Sequence, residues 1–205
     1  MLTWVFYSML TAGMDKVDAI FFIGPQGSGK GTQARVLAER LDFFYWEMGG
    51  IIREVAEEDT KLGRKTKELH DKGVLFDDSF LLGIVTHRLS VIPKERSVIF
   101  DGIPRRATQA RFLLDLLRDQ GKEYFYTIFL DVPKEDSLHR LLQRAETEHR
   151  ADDTQEKIQF RLDQYYENTL PVLDILRQET KFITVDGRSQ INEVTIAINK
   201  ALGLE

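Results

Sequence analysis

Five short apolar runs, rich in β-branched and aromatic residues, punctuate the chain at Val17–Ile23, Phe43–Trp46, Ser97–Asp101, Phe125–Asp131 and Lys181–Val185. Between them, apolar residues return every three or four positions. That spacing predicts helices over Thr32–Leu41, Asp78–Leu89, Thr108–Leu117, Lys134–Arg144, Thr154–Tyr166 and Ile191–Leu202. A strand that is apolar at successive positions is apolar on both faces, so both must be covered. Strands alternating with helices therefore predict an α/β fold, a five-stranded parallel sheet with helices on both faces in a three-layer sandwich. One stretch breaks the rhythm. Residues Gly49 to Gly73 are highly charged and weakly apolar, and read as a helical lobe inserted into the core.

A chain of 205 residues suits one domain with a sizeable core. Apolar content of 42% and charged content of 30% belong to an ordinary globular composition. The net charge of −5 gives no footprint for nucleic acid or an anionic membrane, so any polyanion must be held locally. The absence of cysteine excludes disulfides, thiolate zinc sites and a cysteine nucleophile, and fits a reducing cytoplasm. The apolar stretch Met1–Ala12 has no basic start and is too short to span a bilayer. Residues 1–16 are expected to be an extension, flexible or laid on the surface, with Met14 a natural start for the domain at 17–205.

The strongest chemical signal lies between the first strand and the first helix. Gly24-Pro25-Gln26-Gly27-Ser28-Gly29-Lys30-Gly31-Thr32 is a phosphate-binding loop in its proper context. Its glycines let successive N–H groups turn inward, the helix start adds partial positive charge, and Lys30 adds a full one. The position after the lysine, where Ser or Thr most often reaches the metal, is Gly31 here, with Thr32 following.

In open parallel sheets, ligands lie beyond the carboxyl ends of the strands. Gly24, Glu47–Gly50, Asp101–Arg105 and Asp131–Pro133 all follow strands directly, so these scattered segments converge on one edge. An acidic residue at a strand end beside a phosphate loop, Asp101, suits holding Mg²⁺ through water; taken alone it reads equally as a turn or cap. Arg140 and Arg144 are four apart and share a helix face, which by itself is also the pattern of a solvated face. Arg53 carries a fork that fits phosphate bidentately, although a single exposed helix arginine is commonplace. Asp186-Gly187-Arg188-Ser189 reads as a turn with Ser189 as a cap. The histidines, His70, His87, His139 and His149, form no ligand or triad spacing.

The Gly-Lys-Gly-Thr ending with Pro25 early in the loop resembles that of nucleoside monophosphate kinases, the adenylate kinase family above all. Asp101-Gly102-Ile103-Pro104-Arg105 with Gln109 resembles that family's Asp-Gly-Phe-Pro-Arg segment, with Ile103 replacing Phe. Met48-Gly49-Gly50-Ile51-Ile52-Arg53 stands where the family has Thr-Gly-Asp before two apolar residues and Arg. Gly49 and Arg53 match; Met48 and Gly50 do not. Gly73–Asp78 resembles the stretch along the acceptor base. Leu141–Asp153 resembles the lid of the short-lid adenylate and UMP/CMP kinases, too short and too poor in Cys and His for the zinc-bearing form, so no structural zinc is implied. The resemblance spans about residues 17–203.

What this resemblance implies is a core of 17–47, 78–143 and 154–205, a monophosphate-binding lobe at 48–77 and a short lid at 144–153. It implies an ATP site of Gly27, Ser28, Gly29, Lys30, Gly31, Thr32, Arg140, Arg144 and Ser189, with Arg140 stacked on the donor base. The AMP site would comprise Met48, Arg53, Val74, Leu75, Phe76, Gly102, Ile103, Pro104, Arg105, Gln109, Arg150 and Arg161. In it Arg105 grips the acceptor phosphate and Gln109 bonds the adenine edge. Lys30, Arg105, Arg144, Arg150 and Arg161 would carry catalysis, and Asp101 would hold Mg²⁺ through water. The implied reaction moves the γ-phosphoryl of MgATP to AMP, giving two ADP, in a monomer of the cytoplasm. A UMP/CMP or other monophosphate kinase, and a nucleotide-binding regulatory homologue of reduced turnover, are the alternatives. An acceptor phosphate is already anionic near neutral pH, so such a reaction needs a closing cationic cage rather than a general base.

Overall fold

A computed structural model describes residues 16–71, 76–148 and 154–204. Val74, Leu75 and Arg150, and the extension up to residue 15, lie outside those residues. The elements run β1 (Ala19–Ile23), α1 (Lys30–Leu41), β2 (Phe44–Glu47), α2 (Met48–Ala56), α3 (Lys61–Asp71), α4 (Asp78–Ser90), β3 (Val98–Asp101) and α5 (Ala107–Asp119). They continue with β4 (Phe125–Asp131), α6 (Lys134–Glu148), α7 (Gln155–Gln164), a π-turn (Tyr165–Thr169), α8 (Val172–Glu179), β5 (Lys181–Asp186) and α9 (Ile191–Ala201). The strands form one parallel sheet in the order β2-β3-β1-β4-β5.

The apolar runs explain the layers. On β1, Ala19, Phe21 and Ile23 pack with Trp46, Phe100 and the helices α2, α4, α5 and α8. Ile20 and Phe22 face the other way, onto Ala34, Leu37 and Leu41 of α1 and Val194 and Ile198 of α9. Every residue of β1 is buried, as a strand covered on both faces requires. The Phe21 and Phe100 rings stack with centroids 5.3 Å apart, which fixes β1 against β3 on the larger of these faces.

The expected α/β sandwich with five parallel strands is the one observed. α8 is a helix the periodicity did not predict, because its apolar set Val172, Leu173 and Leu176 fills only two turns and follows Pro171. Pro171 breaks nothing there: its φ of −62° is already helical, at a point where the missing N–H costs no bond. The helix expected over Thr154–Tyr166 runs as α only to Gln164, and Leu170 N–H then bonds Tyr165 O at 2.9 Å to make the π-turn.

Strand order sets the position of the site. The chain leaves β1 toward α1 on one face, while β3 and β4 flank β1 on either side. Connections that diverge from a central strand open a crevice at its carboxyl end. Residues 24–29, 102–106 and 132–133 all emerge there.

Candidate functional site

The phosphate loop is shaped by two residues that only glycine accommodates easily. Gly27 and Gly29 have φ of 84° and 86°, in the left-handed region. Gly29 then opens α1 with no side-chain cap, so the helix presents its first backbone N–H groups together with its dipole. Ser28 is buried and its N–H bonds Pro25 O at 3.1 Å. Lys30 folds back over the loop and donates to Pro25 O at 3.2 Å. Desolvation pulls its ammonium from 10.5 down to about 8; Asp101 opposes that, while Arg105 and Arg144 add to it. The lysine therefore feels both the Asp101 carboxylate and the Arg105 and Arg144 guanidiniums.

Gly31 is explained by what lies beside it. A Cβ there would come within 3.0 Å of Asp101 Oδ2 and 3.7 Å of the Tyr45 hydroxyl. The Asp101 carboxylate thus closes directly on the turn after Lys30, and the Tyr45 hydroxyl donates to it at 3.1 Å. Burial raises the Tyr45 phenol above its ordinary value, and the Asp101 charge and hydrogen bond add to the shift. Tyr45 stays a donor at any physiological pH.

The second pole is the turn after β3. Gly102 has φ of 87°, the Ile103–Pro104 bond is cis, and Arg105 Nε donates back to Gly102 O at 2.8 Å. Thr169 of the π-turn donates to Arg105 O at 3.1 Å, tying the turn to the opposite side of the site. A cavity of about 30 Å³ is bounded by Gly24, Lys30, Arg105, Tyr165 and Thr169, so the two cationic poles share one space. Met48 belongs to the same place, since a Cβ on Gly102 would lie 3.3 Å from both Met48 Cβ and Arg105 Nη2. Crowding by protein lowers the Arg105 guanidinium, Asp101 opposes the shift and Arg161 reinforces it. That response places Arg161, on α7, within electrostatic reach of Arg105.

Gln109, at the start of α5, is buried and held at both ends. Its Oε1 accepts from Arg105 N–H at 2.8 Å, and its Nε2 donates to Asp78 Oδ1 at 2.8 Å. Arg53 is exposed on α2 and lies 3.4 Å from Glu47, with Gly49 and Gly50 packed close to that pair. The Phe76 ring stacks on Phe80 at 5.6 Å. On the other flank, Arg140 of α6 donates to Gly187 O and Arg188 O, both at 2.8 Å. Two carbonyls of the turn after β5 are therefore already bonded, and their partner presents a planar guanidinium. Asp186 receives Arg188 and is held down at about 2 by those bonds. Gly27, Gly29, Gln33, Arg140, Ser189 and Ile191 line a groove of about 330 Å³, wide enough for a base and sugar. Thr32 is exposed on α1, beyond that lining.

Lys30 and Arg105 thus line one cavity at the end of β1. A family model described as "Adenylate kinase" matches residues 22–181. An adenylate kinase of Thermus thermophilus is 37% identical over 191 residues, which is 93% of this chain and 100% of that protein. Adenylate kinase 1 of Nostoc sp. is 37% identical over 184 residues, 90% of this chain and 98% of that one. Adenylate kinase of Maricaulis maris is 36% identical over 183 residues, 89% and 97% respectively. This chain belongs to the adenylate kinase family. It is a nucleoside monophosphate kinase by that membership, and its Gly24–Thr32 segment stands at the carboxyl edge of the sheet.

Tyr45, against Asp101, lies in no sequence motif, whereas Glu47, against Arg53, and Asp78, against Gln109, fall within marked segments that gave them no role of their own. His87, which the spacing left without a role, lies 2.7 Å from Glu58 and links α4 to the turn after α2. Among the described residues no group of three or more His, Cys, Asp or Glu gathers as a metal cluster, and no helix is long and apolar enough to cross a membrane.

Proposed function

We propose that this adenylate kinase family member transfers the γ-phosphoryl group of MgATP to AMP, reversibly, giving two ADP. The observation that carries the reading is the shared cavity between Lys30 and Arg105. Two polyanions brought to contact repel strongly, and a cation behind each phosphate offsets that repulsion where the groups must meet.

The donor triphosphate would lie in the loop Gly27–Thr32, with its adenine along the groove by Arg140 and Ser189. Arg140, pinned to Gly187 O and Arg188 O, offers its flat face to a base. Lys30 would leave Pro25 O and turn to the phosphates, whose charge restores the proton that desolvation loosens. The acceptor's phosphate would be gripped by Arg53 and Arg105, its base set between Met48, Phe76 and Gln109, with Gly102, Ile103 and Pro104 as the wall. Arg144, whose charge reaches Lys30, and Arg161, whose charge reaches Arg105, would stand at the junction, with Val74, Leu75 and Arg150 assigned to the site by resemblance. The donor set fits a magnesium ion held through water by Asp101, whose buried carboxylate meets the loop at Gly31; such an ion would neutralise charge on the transferring group. We assign residues 48–77 to the acceptor lobe and 144–153 to the lid, whose closure would exclude water as the competing nucleophile. A cytoplasmic monomer is the setting this reading assumes, and the absence of cysteine accords with a reducing compartment.

The test is ADP formation from ATP, Mg²⁺ and AMP in a coupled assay, repeated with UMP, CMP, GMP and deoxynucleotides. AMP should be preferred. A clear preference for a pyrimidine monophosphate would overturn the adenine assignment, and saturable nucleotide binding without turnover would overturn the kinase assignment.

A further inference from the structure

The Gln109 amide lies between two groups of fixed and opposite hydrogen-bonding character. Asp78 Oδ1, an ionised carboxylate oxygen, can only accept, and it takes the proton of Nε2 at 2.8 Å. The backbone N–H of Arg105 can only donate, and it reaches Oε1 at 2.8 Å. Rotating the amide by half a turn would set oxygen against carboxylate and N–H₂ against N–H. Chemistry alone therefore decides which end of the amide points where.

Asp78 is itself held in place. Thr108 Oγ1 donates to its Oδ2 at 2.7 Å, and Arg106 Nη1 lies 3.1 Å from its Oδ1. It is the first residue of α4, where a negative charge meets the helix N-terminus. Burial alone would raise its carboxyl, but the bonds from Thr108 and Gln109 and the Arg106 charge outweigh that and hold it below the ordinary range.

A primary amide has two N–H donors and two acceptor lone pairs. One of each is committed, so one N–H and one lone pair remain, in a fixed order. That order complements a base edge on which a bare ring nitrogen adjoins an exocyclic amino group. It opposes an edge on which a ring N–H adjoins an oxo group. We propose that Asp78 is a positioning residue for acceptor specificity, locking Gln109 in the orientation that accepts amino bases and rejects oxo bases. This deepens the function proposed above and rests on it for one point, that Gln109 faces the acceptor base.

Four acceptors separate edge polarity from ring size. AMP and CMP carry the amino edge; IMP and UMP carry the oxo edge. The unmodified enzyme should favour AMP over IMP and CMP over UMP in kcat/KM, each by at least about tenfold, because a mismatched edge leaves buried polar groups unpaired. Asp78→Asn lets either end of the Gln109 amide be met on that side and leaves only the Arg105 N–H to orient it, so both ratios should fall by about tenfold, the worth of one hydrogen bond to a charged group. AMP should lose kcat/KM while IMP holds or gains. Arg106→Ala removes the neighbouring cation but keeps the carboxylate, and should retain both ratios.

Equal use of amino and oxo bases by the unmodified enzyme would overturn the lock without any variant. So would an Asp78→Asn enzyme that keeps its ratios, or one that loses activity equally on all four acceptors. A chain that prefers pyrimidines yet still favours CMP over UMP would keep the lock and overturn the AMP reading, so the two failures are distinct.

Discussion

The Tyr45 hydroxyl on the edge strand β2 donates a 3.1 Å hydrogen bond to Oδ2 of Asp101 on β3, across the mouth of the phosphate loop. The pairing of β2 with β3 sets Tyr45 opposite Ile99 and Glu47 opposite Asp101, so the phenol reaches diagonally up the sheet. Arg35 lies over the Tyr45 ring at 5.5 Å and holds it from the other side. Asp101 is thus fixed by a donor that never competes for its charge.

Replacing Tyr45 by Phe keeps the ring and removes only that donor. A hydrogen bond to a charged group is worth roughly 1.5–3 kcal/mol, so kcat should fall by about tenfold if Asp101 acts only when held in place. The magnesium concentration giving half-maximal rate should rise, and the thermal midpoint should fall by a few degrees, because the same bond satisfies a buried carboxylate in the fold. An unaltered kcat and magnesium dependence would show that Asp101 needs no help from Tyr45.

Gly31→Ala tests the same corner by crowding instead of loosening. A Cβ placed 3.0 Å from Asp101 Oδ2 is tighter than ordinary contact, and the Tyr45 hydroxyl on the far side limits the carboxylate's retreat. The gain of up to about 1 kcal/mol from the better helix former is then offset by that crowding, so the thermal midpoint should not rise. Turnover should drop. Steady-state kinetics beside a thermal melt reads both, and a variant both more stable and fully active would remove Asp101 from its assigned role.

How much of this site was legible beforehand follows from how local each feature is. The phosphate loop is contiguous: Gly27, Gly29 and Lys30 are tied by backbone geometry, so their letters alone report the shape. The strands were legible because Phe21 and Phe22, adjacent and both apolar, require cover on both faces. Tyr45 and Asp101 are 56 residues apart, and Asp78 and Gln109 31 apart. Their meeting depends on strand register and on where α4 starts, and neither is written in a spacing. Gly31 was visible as a departure from the commoner loop, but its reason, the Asp101 carboxylate, was not. The helix α8 escaped because two turns of apolar residues after a proline look no different from a turn.

Glu47 holds Arg53 at 3.4 Å, and both side chains are largely exposed. If Arg53 grips the acceptor phosphate, it must leave Glu47 to do so. Exposed ion pairs contribute about 0–1 kcal/mol, which limits the competition to roughly fivefold. Glu47→Gln should therefore lower KM for AMP by a factor of about two to five while leaving kcat and the KM for ATP unchanged. A raised KM would mean that Glu47 steers Arg53 toward the phosphate instead of withholding it.

Lys30 gives the site its pH dependence, and the signs for binding and stability are opposite. Desolvation lowers its ammonium to about 8 in the folded protein against 10.5 in the unfolded chain. Between these values the unfolded state binds more protons, so the free protein should become more stable as pH rises through that window. Below pH 8 both states are protonated and the cost of the buried charge is felt in full. Phosphate binding reverses the preference, since the anion favours the charged lysine. Donor affinity should then fall above about pH 8, with proton uptake on binding measurable by calorimetry in buffers of different ionisation enthalpy. At saturating ATP the profile of kcat should extend to higher pH than that of kcat/KM. Lys30→Met should abolish the proton uptake and the pH-dependent stabilisation together. It should reduce kcat by about 10²–10³, the scale for losing one transition-state charge contact. A variant that keeps the proton uptake would assign that titration to a group other than Lys30.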